Sequence, residues 1–250
     1  MKYAYAGDRD LSVTILDFLI EQGYKPSALL VTEPGRATHA DELIAKSKLD
    51  TSLVFTGNEF KSAKGIEILK SLDIDYIIGI HFPYLIPKEV LNIPKIGFLN
   101  LHPAYLPYNK GWHTPSWAII DGTPYGATLH FMTEELDAGN IIHQKICEVL
   151  PNDTANSLYQ RVKQTEIETF VEAFPSLLAS NPESKPQQGP GTSHTKKQLQ
   201  TIQEINLDSN YKGAELIDKL KGLTTNNVKE AAYFIKDGKK YFIQVRIESE

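Results

Sequence analysis

Tyr76-Ile77-Ile78-Gly79-Ile80 restricts the fold of this chain more than any other stretch, because five consecutive residues carry no charge and no amide. A strand points successive side chains to opposite faces, so an unbroken apolar run needs cover on both of them. That is the environment of a central strand in a parallel sheet with helices on each side. Residues 2–6 read as a strand running into Gly7, residues 27–32 as a second strand, and residues 53–55 as a short third. Between them, residues 11–22 set Leu11, Ile15, Leu16, Phe18, Leu19 and Ile20 on a helical stripe closed by Gly23. Residues 64–72 do the same with Ile66, Leu69 and Leu72. Alternating strands and helices predict an α/β fold with a doubly wound, Rossmann-like, mostly parallel sheet.

In such sheets ligands sit outside the carboxyl ends of the strands. That rule singles out residues 7–10, 81–86, 102–114 and 133–137 as the loops of one crevice. Chemistry is concentrated in two of them. Residues 96–102 read as a strand stopped by Pro103, and period-two alternation puts Asn100 and His102 on one face, roughly 7 Å apart. A turn-rich stretch, Glu135-Leu136-Asp137-Ala138-Gly139-Asn140, follows the apolar strand 127–132 and can return Asp137 to the histidine. An Asn, a His and an Asp without a Ser or Cys suit acyl transfer to a nucleophile that the substrate brings. The Asn100 amide would donate to a developing oxyanion, His102 would take a proton from an attacking amine, and Asp137 would orient the imidazole. Lys110-Gly111-Trp112-His113-Thr114 precedes a helix at 115–120, and a helix amino terminus beside a lysine suits a phosphate or diphosphate.

The ordered text Asn100-Leu101-His102-Pro103-Ala104-Tyr105-Leu106-Pro107, Lys110-Gly111-Trp112-His113-Thr114, Gly126-Ala127-Thr128-Leu129-His130-Phe131 and Glu135-Leu136-Asp137-Ala138-Gly139 resembles the folate-dependent formyltransferase family. The resemblance runs over about residues 1–180. It implies the formyltransferase fold, catalytic roles for Asn100, His102 and Asp137, and N10-formyltetrahydrofolate as formyl donor. It also implies a pterin pocket lined by Phe82, Pro83, Tyr84, Leu85 and Ile86, completed by the backbone of Thr133, Glu134, Glu135 and Leu136. His81, Asp8, Arg9 and residues 110–114 would face the second substrate. Glycinamide ribonucleotide enzymes carry a Gly/Ser-rich phosphate loop where this chain has Gly7-Asp8-Arg9-Asp10, and Arg9 could instead grip a diphosphate. The tail, with Gly191-Thr192-Ser193-His194 and Ala231-Ala232-Tyr233-Phe234-Ile235, resembles that of nucleotide-sugar N-formyltransferases. The implied acceptor is the amine of a dTDP-4-amino-4,6-dideoxy sugar destined for bacterial surface polysaccharide. A 3-amino sugar, glycinamide ribonucleotide, and a non-catalytic folate or nucleotide-sugar binder on the same fold stand as alternatives.

Composition narrows the partners. A net charge of −5 over 250 residues argues against a broad nucleic-acid footprint. The seven histidines match no compact ligand spacing, so no metal is expected. Cys147 is the single cysteine, which excludes an internal disulfide and suits a reducing compartment; it reads as an inert buried thiol. The first residues form no signal peptide and no run is long enough to cross a membrane, so a cytoplasmic protein is expected. Three segments are expected: a catalytic domain at 1–180 ending in a long amphipathic helix at 154–178, a Pro- and Gly-rich linker at 181–198, and a small domain at 199–250. The last would hold a helix at 213–221 and a hairpin of 231–235 with 240–247, turned by Asp237-Gly238. Both hairpin faces carry apolar or aromatic side chains, so one is expected to be buried in a homodimer.

Overall fold

The computed structural model describes residues 1–179 and 181–250. Ser180, at the close of the expected long helix, lies outside the described residues. A seven-stranded sheet runs, from one edge, Val54–Thr56, Ala28–Val31, Tyr3–Gly7, Tyr76–Ile80, Gly97–His102, Gly126–Phe131 and Ile141–Ile146. The first five strands are parallel, and Gly97–His102 pairs antiparallel with Gly126–Phe131. Tyr76–Ile80 occupies the middle, with every residue buried, which is what its unbroken apolar run demands. Leu16, Tyr5, Ile78 and Leu99 belong to one apolar cluster, and Ala4, Phe60, Ile77 and Phe98 to a second. The sheet therefore has two covered faces.

The helices fall close to their expected places. Arg9–Glu21, Ala63–Ser71 and Gly213–Gly222 are helical, and the long helix is Ala155–Leu177. A helix at Ala40–Ser47 was not expected. It has eight residues and buries only Ala40, Leu43 and Ser47, too short and too polar a stripe for periodicity to reveal.

The chain divides into two compact units, each drawn from three stretches. The first comprises Met1–His102, Thr128–Gln144 and Glu166–Gln187; the second comprises Pro103–Ala127, Lys145–Thr165 and Gln188–Glu250. The Pro- and Gly-rich stretch contributes to both: Lys185 bridges Ile141 in the first unit, and Ser193–His194 forms a two-residue parallel ladder with Lys110–Gly111 in the second.

In the second unit Trp117, Leu199, Ile205, Leu223 and Ala232 form a buried cluster on which Phe234 and Ile243 pack. The hairpin strands are Ala232–Lys236 and Lys239–Ile243, so residues 244–247 do not extend the ladder. One hairpin face holds Ala232, Phe234, Tyr241 and Ile243; the other holds Tyr233, Ile235, Lys240 and Phe242. Ile235 and Phe242 stay largely exposed. Cys147 is buried with Tyr125, Leu158 and Val162, as an inert thiol would be. Among the described residues no helix is long and apolar enough to cross a membrane.

Candidate active site

Register builds the first half of the site. In the antiparallel pair, Asn100 stands opposite His130 and His102 opposite Thr128. His130 is buried, and its Nδ1 lies 2.8 Å from the carbonyl of Phe131. A carbonyl only accepts, so Nδ1 carries the proton of the neutral ring and Nε2 is left as an acceptor. The Asn100 amide nitrogen donates to that Nε2 at 3.3 Å and to Asp137 Oδ1 at 3.4 Å. The amide is thus aimed by a residue that the motif reading treated only as strand. Its signal was the alternation of Thr128, His130 and Met132, which puts His130 on the same sheet face as Asn100.

Asp137 supplies the second half. Its Oδ2 lies 3.6 Å from His102 Nε2, and its Oδ1 lies 3.7 Å from His130 Nε2. Both His102 and the Asp137 carboxylate are largely buried. Asp137 is held at φ 49°, in the left-handed region that an Asp tolerates better than most residues. Two features keep it there. A Cβ at Gly139 would stand 1.8 Å from the carbonyl oxygen of Phe131, so only glycine lets the loop close so tightly on the strand. Gln187 Nε2 donates to the carbonyls of both Asp137 (2.7 Å) and Gly139 (2.9 Å). Gln187 lay in the expected linker, where nothing in its spacing marks it as part of a site.

The loop after Tyr76–Ile80 is aromatic, as expected. Phe82 packs on Tyr84 with ring centroids 4.8 Å apart and on Phe60 at 5.5 Å. The Tyr84 hydroxyl accepts from the Glu33 amide at 3.3 Å. Ile86 is half-buried, Pro83 exposed, and Leu85 is 82% exposed. In the facing candidate loop, Thr133 Oγ1 donates to the carbonyl of Glu135, Glu134 pairs with Lys88 at 2.7 Å, and Leu136 is exposed.

Other candidates are engaged elsewhere. His81 turns its Nε2 to Glu166 Oε1 at 2.8 Å. Asp8 is buried, and its Oδ1 accepts from the Thr38 amide (3.0 Å), the Thr38 hydroxyl (3.0 Å) and the His39 amide (3.2 Å). Burial raises the Asp8 pKa, but these bonds and one from Arg9 outweigh it and hold the carboxyl below its ordinary range. Arg9 itself is exposed. A cavity of about 390 Å³ opens nearby, lined by Thr32, Gly35, Thr38, His39, Asp41 and Thr56; Asn100, His102 and Asp137 do not line it.

Residues 110–114 belong to the second unit. The Lys110 amide donates to the Thr192 carbonyl and the Trp112 amide to that of His194, which fixes their backbone. Trp112 is 46% exposed, with Lys196 Nζ 5.1 Å from its ring. His113 caps the helix Thr114–Asp121 at φ 56°. Burial lowers its pKa against the pull of Glu230, whose carboxylate lies 3.9 Å away. Thr114 spends its hydroxyl on the Pro103 carbonyl at 2.6 Å. Among the described residues no cluster could hold a metal ion.

A family model described as formyl transferase matches residues 17–174, and one described as N-formyltransferase dimerization C-terminal domain matches residues 198–249. Methionyl-tRNA formyltransferase of Staphylococcus aureus (strain MW2) is 28% identical over 89% of this chain and 73% of its own length. The dTDP-4-amino-4,6-dideoxyglucose formyltransferase of Mycobacterium bovis is 27% identical over 70% of this chain and 74% of its own. Among solved structures, a 4-N formyltransferase from Francisella tularensis superposes with a TM-score of 0.84 at 26% identity, covering 100% of this chain and 98% of that one.

Two outcomes are expected from this geometry. Gln187→Ala frees the Asp137 loop and should lower kcat about 10–100-fold, the scale of ångström-level misplacement, with little change in melting temperature. Equal turnover by the variant would refute the clamp. Asp8→Asn removes a carboxylate whose pKa is depressed, so its contribution is present above the ordinary value near 3.8 and lost as pH falls through the lowered one. Urea unfolding at neutral pH should show a loss of about 1–2 kcal/mol that fades as pH falls below the ordinary carboxylate range.

Proposed function

The chain belongs to the formyl transferase family, and on that footing we propose that it moves the formyl group of N10-formyltetrahydrofolate onto the amine of a dTDP-linked amino-dideoxy sugar, with dTDP-4-amino-4,6-dideoxyglucose as the preferred acceptor. The observation that carries the reading is the convergence of Asn100 (3.4 Å) and His102 (3.6 Å) on the Asp137 carboxylate. The likeness to a dTDP-4-amino-4,6-dideoxyglucose formyltransferase and the net charge of −5 favour a nucleotide sugar over a transfer RNA. In this reading the work is done in the cytoplasm, on a precursor of surface polysaccharide.

The folate supplies an activated formyl group on nitrogen; the chain supplies position, polarity and a proton path. Phe82, Pro83, Tyr84, Leu85 and Ile86, with the backbone of Thr133, Glu134, Glu135 and Leu136, would hold the pterin, and the exposed leucines fit that task. Lys110 and Trp112, with the amino terminus beginning at His113 and Thr114, would receive the diphosphate and base. Gly111, with no side chain in the way, leaves the backbone open to that approach. His102 receives the proton shed by the attacking amine as the new C–N bond forms and returns it to the nitrogen that departs. The ionised Asp137 at its Nε2 stabilises the charged ring meanwhile. Asn100 donates to the carbonyl oxygen as negative charge gathers there. Its 3.4 Å bond to Asp137 is the long one, and it is the one surrendered.

The second proposal concerns assembly. The hairpin face with Tyr233, Ile235 and Phe242 leaves aromatic area exposed, and a homodimer that covers this face would remove it.

Incubation with the donor and a panel of 4-amino and 3-amino dTDP sugars, glycinamide ribonucleotide and methionyl-tRNA tests the reaction. Turnover of either of the last two without any nucleotide sugar would overturn it. His102→Ala should cut kcat about 10²–10⁴-fold and Asn100→Ala about 10²–10³-fold, measured as formyl transfer at saturating substrates. Near-normal turnover in His102→Ala would remove that residue from the proton path. Phe242→Glu should convert the sedimenting species from dimer to monomer at tens of micromolar, on the scale of a charge forced into an apolar interface. A wild-type protein that sediments as a monomer there would end the dimer proposal and leave the chemistry standing.

A further inference from the structure

His81 and Glu166 form a polar pair that the proposed chemistry leaves unused. The two are 85 positions apart, meet at 2.8 Å, and expose 8% and 0% of their side chains. His81 Nδ1 and Glu166 Oε2 are buried without a hydrogen-bond partner. Desolvation offsets much of the attraction in such a pair, so what it adds is chiefly a fixed direction rather than net stability. Its position says what is being directed. His81 is the first residue after the central strand Tyr76–Ile80, and it is held at φ 52°, a left-handed conformation that costs a histidine strain and a glycine none.

From that strained residue the chain runs straight into Phe82 and Tyr84, whose rings pack on each other and on Phe60. The loop is pinned farther along where Tyr84 accepts from Glu33, and Leu85 projects at its tip. The aromatic contacts fix the middle of the loop. Its root has one side-chain anchor of comparable reach, the bond from His81 to the long helix Ala155–Leu177.

We propose that Glu166, through His81, is a positioning residue for the folate-binding loop 82–86: it sets where the apolar wall stands, and so acts on donor affinity rather than on the transfer step. This rests on the folate reading given above. Neither side chain takes part in the chemistry; the pair works by holding a backbone turn in a conformation that it would otherwise leave. Glutamine at 166 retains an oxygen to accept from His81 Nε2, whereas leucine does not. Glycine at 81 removes the anchor and the backbone strain together and leaves Glu166 buried without this partner, so thermal unfolding reads the cost to the fold beside the effect on the loop.

Isothermal titration with tetrahydrofolate, together with steady-state kinetics and thermal unfolding of each variant, tests the assignment. Glu166→Leu and His81→Gly should each weaken tetrahydrofolate binding about tenfold and raise the donor KM in proportion, with kcat at saturating donor within about twofold of wild type; Glu166→Gln should bind within about twofold of wild type. Unchanged binding in His81→Gly, or a fall in kcat at constant donor KM, would overturn the proposal. So would a Glu166→Gln variant as impaired as Glu166→Leu. Wild-type protein that does not bind tetrahydrofolate at all would overturn the folate reading itself, and this role with it.

Discussion

The register of one antiparallel strand pair governs the site. Gly97–His102 is the last of the parallel strands, and Gly126–Phe131 reverses beside it with Asn100 facing His130. A slip of a single residue would turn Asn100 and His102 to the opposite face of the sheet. Leu99 and Leu101 belong to the apolar cluster on that opposite face, so such a slip would also pull them out of it. Core packing and the geometry of the candidate site therefore select the same alignment. The polar groups tolerate burial because each is spoken for: His130 by the Phe131 carbonyl, Asn100 by His130 and Asp137.

How much of this could be read from the sequence depends on the range over which each signal acts. Period-two alternation is local, so the shared face of Asn100 and His102 was legible, as was the Asp237-Gly238 turn of the hairpin. The fold class followed from the apolar run at 76–80 and the helices on either side. Gln187 and Glu166 were not legible. Gln187 lies among prolines and glycines, and its two bonds reach back to residues 137 and 139; Glu166 is a single acidic residue in an amphipathic helix. Their partners are fixed only when distant segments come together. Asp8 and His81 show the same limit from the other side, since the bonds they make within the chain were not legible either. Each lies at a strand end where the general rule places ligands, yet nearby or distant protein groups take up its polar atoms first.

The site uses two unlike means of holding a group in place. Asn100 and His102 are carried by a strand, whose ladder bonds leave little freedom. Asp137 and the aromatic loop are carried by irregular backbone and depend on side-chain anchors, Gln187 for one and His81 with Glu166 for the other. Loops of this sort are where a common scaffold acquires its particular substrates.

The two tryptophans of the chain, Trp112 and Trp117, both fall in Pro103–Ala127, a part of the second unit, while Asn100, His102, Asp137 and the buried tyrosines Tyr3, Tyr5 and Tyr76 fall in the first. Intrinsic emission excited at the red edge of the indole band is therefore blind to the first unit and watches only the other. A denaturation curve recorded that way describes half of the molecule. Circular dichroism samples both units, so the offset between the two curves becomes a direct measure of how cooperatively they unfold.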